Sequence, residues 1–232
     1  MSYLEHCDDL KYHDLKQNVK RFIIKTLSRF VGCTFDDICT DGVQVVSLDV
    51  FDTLLYRSVK RPTDVFDLIS TNNSFKYQRM DAERRARADS LSGEVTLTEI
   101  YRYLPDYSPQ LEIDTELKVL FANEAAQTFF DKIGQSGIRV IITSDMYLSR
   151  DVIAEMLERN GYNLDNVTIY VSSDYGETKR TGALFRRILS DLNIDASQMV
   201  HIGDDYISDY YRPKQLGIKS YLVFESNSIV PH

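Results

Sequence analysis

Five short, mostly apolar runs punctuate the chain at Val43–Leu48, Ile138–Ile142, Val167–Val171, Met199–Ile202 and Tyr221–Phe224. Runs of this length and composition form strands buried on both faces. Helical patterns lie between the later ones. Asp151–Arg159 has Ser149 ahead of it as a cap and Asn160-Gly161 as its stop. Thr181–Leu192 sets Leu184, Phe185, Ile188 and Leu192 on one face. Alternating strands and helices predict an α/β fold, a Rossmann-like parallel sheet covered on both faces. Right-handed crossovers would line up the loops following the strands along one edge, where such sheets bind ligands.

Two stretches break the rhythm. From about Lys60 to Gln135 no buried strand is evident and the pattern is helical. Pro62 suits a first turn before Val65, Phe66 and Ile69, and Phe75–Ser90 is rich in Ala, Arg and Glu. Thr98-Glu99-Ile100-Tyr101 starts another helix, and Leu117–Ile133 carries Leu120, Phe121, Ala125, Phe129 and Ile133 as one stripe. Near the start, Leu15, Val19, Phe22, Ile23, Thr26 and Phe30 recur at helical spacing, with Lys16, Lys20, Arg21, Lys25 and Arg29 between them. This basic amphipathic helix suits packing on the protein's own core, a membrane surface, a protein partner or self-association. The expected division is an N-terminal helical extension over 1–41, a core from 42–59 and 136–232, and a helical insertion over 60–135.

Composition narrows the function. Of the 232 residues 43% are hydrophobic, so a large core can be buried. Lys and Arg number 27 against 35 Asp and Glu, a net charge of −8. That balance lacks the basic footprint that nucleic-acid phosphates require. Cys7, Cys33 and Cys39 form no CxxC pair, and His6, Cys7, His13 and Cys33 match no zinc-ligand spacing. Reduced thiols in a cytoplasmic protein are expected. The acidic opening residues argue against a secretory signal, and no run approaches the ~20 apolar residues of a spanning helix.

The loops at the predicted binding edge carry the chemistry. They hold Asp49-Val50-Phe51-Asp52-Thr53-Leu54-Leu55, then Thr143-Ser144-Asp145, then Ser172-Ser173-Asp174 leading to Lys179, then Gly203-Asp204-Asp205 with Asp209 one turn on. Such a set suits phosphoryl transfer through a carboxyl phosphate. An aspartate, with a reference pKa of about 3.9, is already an anion at neutral pH and needs no base to attack phosphorus. Its approach to an anionic phosphate must be screened by a lysine and a divalent cation. Magnesium, which prefers hard oxygen ligands, fits the carboxylates.

At this point the chain resembles the haloacid dehalogenase (HAD) superfamily, which is mostly phosphatases. Asp49-Val50-Phe51-Asp52-Thr53-Leu54 matches its DxxDxT/V signature; Ser144, Lys179 and Gly203-Asp204 through Asp209 match its later motifs in order. The resemblance spans about Val43 to Phe224. It implies that Asp49 is the nucleophile and a magnesium ligand, and that Asp52 is the general acid/base and offers its backbone carbonyl to the metal. Ser144, with Thr143 competing, would bind the phosphoryl group, and Lys179 would neutralise it. Asp204 would be the other metal ligand, with Asp209 as a support or further ligand and Asp205 sharing that role. The presence of Asp52 argues against dehalogenation. The helical insertion resembles the family's helical cap, in which Arg79, Arg84, Arg87 and Tyr101 are candidates for substrate contact.

The implied function is magnesium-dependent hydrolysis of a small phosphorylated metabolite, such as a sugar, polyol or glycerol derivative. A finer resemblance, to a bacterial branch associated with surface polysaccharide assembly, is carried by Asp49–Arg57, Arg79, Ala82, Glu83, Arg87 and Thr98–Tyr101. Ser172–Gly176 and Lys179 with Gly182, Leu184 and Phe185 also fit that branch. Two alternatives stay open: a phosphotransferase or mutase, and a catalytically weak interaction module docking through the N-terminal helix. His201, ahead of Gly203 inside a predicted strand, reads as a core or shell residue rather than a catalyst. Pro213 is expected to shorten the helix after the last motif.

Overall fold

The structure, a computed structural model, describes residues 31–70, 72 and 74–223. The expected basic helix at Leu15–Phe30 and the end of the last apolar run, Phe224, lie outside them. The strands are β1 (Gly32–Cys33), β2 (Val45–Leu48), β3 (Leu55–Arg57), β4 (Leu120–Ala122), β5 (Arg139–Ser144), β6 (Thr168–Val171), β7 (Met199–Gly203) and β8 (Lys219–Val223). The longer helices are α1 (Phe75–Asp89), α2 (Leu97–Tyr101), α3 (Pro109–Val119), α4 (Glu124–Gln135), α5 (Arg150–Arg159) and α6 (Ala183–Leu192).

Six strands form one parallel sheet in the order β1-β8-β7-β2-β5-β6. Alternation along the strands divides the core. Val46, Leu48, Val140, Ile142, Val200 and Ile202 share a cluster with Phe130 and Ile133 of α4 and Ile153 and Met156 of α5. Val45, Ile141 and Met199 instead pack with Leu184, Phe185 and Ile188 of α6. The central strands are therefore apolar on both faces, as parallel sheets require. Ser149 caps α5 as expected, its Oγ accepting from the Val152 backbone N–H. Gly32–Cys33, the end of the stretch read as an extension, adds an edge strand beside β8, and Phe35 packs its ring 5.5 Å from Phe129.

The sequence reading of the insertion needs one correction. It is not wholly helical, because β3 and β4 pair as an antiparallel ribbon and split the Leu117–Ile133 stripe into α3 and α4. Asn123 supplies the break. Its Oδ1 accepts from the Ala125 and Ala126 N–H groups to start α4, while its Nδ2 donates to the Thr53 carbonyl at 2.8 Å. The helical spacing is real, but a strand close in space gives the Leu120–Ala122 backbone better partners. Pro213 also acts differently from expectation. In an uninterrupted α-helix its ring would press on the Asp209 carbonyl. The chain instead takes a wider π turn over Tyr206–Tyr211 before a short helix at Arg212–Gln215.

Arg79 ties the insertion to the sheet core. It is fully buried, with Nε donating to Glu112 Oε2 at 2.6 Å, an NH2 to Oε1 at 2.8 Å and an NH1 to Glu83 at 3.0 Å. Its guanidinium lies 4.8 Å from the ring centroids of Phe66 and of Tyr147, which closely follows β5. Arg79→Ala should strand the buried Glu112 carboxylate and lower unfolding stability by about 3–5 kcal/mol, read from urea titrations. A loss below ~1 kcal/mol would show that water replaces the guanidinium.

Candidate active site

The site follows from strand order. From β2 the chain crosses to β5 and β6 on one side, then returns to β7 and β8 on the other. Loops leaving the strand ends in opposite directions open a crevice there. Asp49 directly follows β2, anchored by its N–H donating to the Ile202 carbonyl at 2.9 Å. Leu54 and Leu55 N–H both donate to the Val50 carbonyl, and Asp52 N–H donates to the Leu55 carbonyl, each at 2.8 Å. This tight turn holds Asp52 at φ +59°, a left-handed conformation that Asp tolerates better than most residues. Asp49 and Asp52 both line a cavity of about 780 Å³ together with Ser144, Lys179, Asp204 and Asp209. All six residues expected from the sequence thus meet in one place.

Lys179 sits at its centre, only 2% exposed. Its Nζ donates to Asp49 Oδ1 and, at 2.7 Å, to Asp209 Oδ1. Burial disfavours its charge, yet Asp209, Asp49 and Asp145 outweigh this and hold its pKa above the ordinary lysine value. The neighbouring Arg180 also lines the cavity, but its side chain is largely exposed and stands 3.8 Å from Asp205. Asp209 is saturated: Oδ1 also accepts from His201 at 3.0 Å, and Oδ2 accepts from the Asp205 N–H at 2.9 Å. Burial opposes its ionisation, but Lys179 and His201 hold its carboxyl well below the usual range. Gly203 makes room for it, since a Cβ there would stand 2.5 Å from Asp209 Cγ.

The other carboxylates lack such compensation. Burial pushes Asp49 up to about 7 against the pull of Lys179, with Asp209 adding repulsion. Asp204 is raised well above its ordinary value by burial and then by the charges of Asp49, Asp209 and Asp52. Among the described residues its hydrogen-bond partner is a long contact from Thr53 Oγ1 at 3.5 Å. Carboxylate oxygens of Asp49, Asp204 and Asp209 lie within 4.8 Å of one another. Hard oxygen donors with uncompensated negative charge fit a divalent cation, and Asp49 and Asp204 have the lone pairs to spare. Asp52 faces the cavity, where loss of water raises its carboxyl despite Arg57.

The structure also separates the paired candidates. Ser144 lines the cavity, whereas the Thr143 hydroxyl bonds Ser47 at 2.8 Å. Asp205 caps the π turn, accepting from Ile207 and Ser208 N–H at 3.1 and 2.7 Å. Of the insertion residues, Arg84 and Arg87 reach the cavity, while Arg79 and Tyr101 are spent on Glu112. Asp145, to which the sequence pattern assigns no role, has one in the structure. Its two oxygens accept from the Lys179 and Arg180 N–H groups at 2.7 and 3.2 Å and so hold the lysine loop in register. The signal was its place directly after the strand-end hydroxyl.

Comparison with known proteins bears on this geometry. No family model matches the chain. A stretch of 55 residues, 24% of this chain, is 38% identical to haloacid dehalogenase-like hydrolase domain-containing protein 3 of Danio rerio, and spans 23% of that protein. A HAD family enzyme from Bacteroides thetaiotaomicron superimposes with a TM-score of 0.61 at 16% identity, covering 82% of this chain and 97% of its own. The same enzyme in complex with magnesium and inorganic phosphate gives 0.59 at 17% identity, with 81% and 98% covered. A predicted HAD-like family hydrolase from Porphyromonas gingivalis gives 0.56 at 17% identity, with 82% and 95% covered. The chain has the HAD-like fold. No helix among the described residues is long and apolar enough to cross a membrane.

Proposed function

We propose that this chain is a HAD-superfamily phosphomonoester hydrolase that uses magnesium and an aspartyl-phosphate intermediate. The observation that carries the reading is the Lys179 ammonium clasped between Asp49 and Asp209, with Asp204 beside them and Asp52 across the same cavity. Asp49 and Asp204 would hold the metal with the Asp52 backbone carbonyl. Bound there, magnesium supplies charge neutralisation for the phosphoryl oxygens. Asp49 Oδ attacks phosphorus as the ester P–O bond breaks, and Asp52 gives its proton to the departing alkoxide. Burial raises the Asp52 carboxyl against the pull of Arg57, the direction that favours a proton donor. Asp52 then takes a proton from the water that attacks the acyl phosphate, releasing inorganic phosphate and restoring Asp49. Lys179 and the Ser144 hydroxyl hold the phosphoryl oxygens throughout.

The cavity suits a small metabolite, with Phe51, Phe66, Met80 and Met146 as apolar walls. Arg57 is tied to Glu116, and Arg87 to Glu83 and Glu94. Arg84 of the insertion, with a side chain 72% exposed and paired within its own helix to Asp81, and Arg180, 59% exposed and 3.8 Å from Asp205, are the cavity guanidiniums with room to turn toward a substrate. Arg84→Gln should therefore raise KM for the preferred substrate about five- to tenfold with kcat little changed, as expected for loss of uniform binding. An unchanged KM would remove Arg84 from the substrate path. The surface-polysaccharide setting draws on Arg79, Glu83 and Arg87, which form one ion-pair network; Glu83 and Arg87 of it line the cavity, with Arg79 buried behind them. A phosphate-release screen over sugar, polyol and glycerol phosphates, with magnesium and with chelator, tests the reading. Metal-independent release, or none on any substrate, would overturn it.

A further inference from the structure

A polar thread runs through the apolar middle of the sheet, beneath the site. Ser47 of β2 lies opposite His201 of β7, and its Oγ stands 2.8 Å from His201 Nδ1 and 2.8 Å from Thr143 Oγ1 of β5. The other ring nitrogen, Nε2, stands 3.0 Å from Asp209 Oδ1. All four side chains are buried, His201 to 0% and Asp209 to 1% exposure. Phe185 of α6 closes edge-on against the imidazole at 4.8 Å between ring centroids. Apolar residues would fill these positions with less desolvation, so the polar set calls for a reason.

The donors order themselves. An ionised Asp209 can only accept, so His201 Nε2 carries the proton that meets it. With Nε2 as the donor to Asp209, a neutral ring leaves Nδ1 to accept from the Ser47 hydroxyl at 2.8 Å. Ser47 has then used its single proton and accepts from Thr143. The chain of donors points one way, Thr143 to Ser47 to His201 to Asp209, and ends on the oxygen that also receives Lys179. We propose that His201 is a positioning residue: with Ser47 and Thr143 behind it, it locks Asp209 in the orientation that seats the Lys179 ammonium against Asp49. This rests on the phosphatase reading for its kinetic consequence, and on the contacts of Asp209 and a neutral imidazole for the hydrogen-bond order.

The two parts are tested separately. Nitrogen-15 NMR of the imidazole in full-length wild-type protein reads the proton directly. A protonated Nε2 is expected, and a bare Nε2 would overturn the proposal whatever the protein catalyses. For the kinetics, His201→Gln places an amide nitrogen near the position of Nε2, whereas His201→Asn places one near Nδ1 and leaves Asp209 unserved. With para-nitrophenyl phosphate, His201→Asn should lower kcat about 10- to 100-fold with KM within about threefold, and His201→Gln should recover most of the loss. Ser47→Ala, a smaller perturbation of the same thread, should lower kcat by a few-fold. Equal losses in the Gln and Asn variants, or losses that track melting temperature alone, would make the thread structural and sink the proposal. Absence of turnover in wild-type protein would count against the phosphatase reading and not against the donor order.

Discussion

Asp49→Asn should abolish phosphate release while leaving the fold intact. The amide keeps the shape of the carboxylate but cannot serve as an anionic nucleophile, and one charged metal oxygen is lost with it. The loss should exceed about a thousandfold, or ~4 kcal/mol of barrier. Stability should not fall. In the metal-free protein burial and Asp209 already push Asp49 up to about 7, so the fold gains little from its charge. Removing it also relieves Asp204, which Asp49 repels. Lys179 keeps its bond to Asp209. Melting in chelator should therefore occur at the wild-type temperature or above it. A variant retaining more than about a thousandth of the wild-type rate would rule out covalent catalysis through Asp49.

Removal of divalent metal should have an effect of the same order. Exhaustive chelation should stop turnover and magnesium should restore it, with calcium a poor substitute because its larger, looser shell spoils in-line geometry. Asp204→Ala should raise the magnesium needed for half activation at least about tenfold, since few protein carboxylates remain to hold the ion.

The pH dependence has a definite sign. Between the unfolded carboxylate pKa of about 3.9 and the folded value of about 7, metal-free Asp49 keeps a proton that the unfolded chain has released. Its contribution to stability is thus lost as pH rises through that window. Magnesium must displace this proton at low pH and finds it gone at high pH. The magnesium-induced rise in melting temperature should accordingly be larger near pH 8 than near pH 5.5. An equal rise at both would show that Asp49 is not a ligand.

Much of this architecture was readable along the chain. Val45–Leu48, Arg139–Ser144, Thr168–Val171 and Met199–Gly203 announce themselves as apolar runs because a strand buried on both faces has no polar side to show. The acids, hydroxyl and lysine that follow those runs are readable for the same reason. A polar residue at the end of a buried strand stands at the sheet edge, and a parallel sheet brings all such ends together. Ser149 was legible as a local cap because a cap involves residues within one turn of the chain, whereas the helix read as starting at Thr98 begins at Leu97 with Thr96 as its cap.

Contacts between distant residues were decided elsewhere. Arg79 and Arg84 look alike as helix arginines, yet one is sealed against Glu112 and the other reaches the cavity, according to which face the rest of the protein covers. The β3–β4 ribbon and the thread from Thr143 to Asp209 depend on residues brought together from far along the chain. Local periodicity reports burial and turn chemistry within a few positions. Which charges share a low-dielectric pocket is set by strand order and packing, so partners, protonation and the seat of Lys179 exist only once the chain has folded.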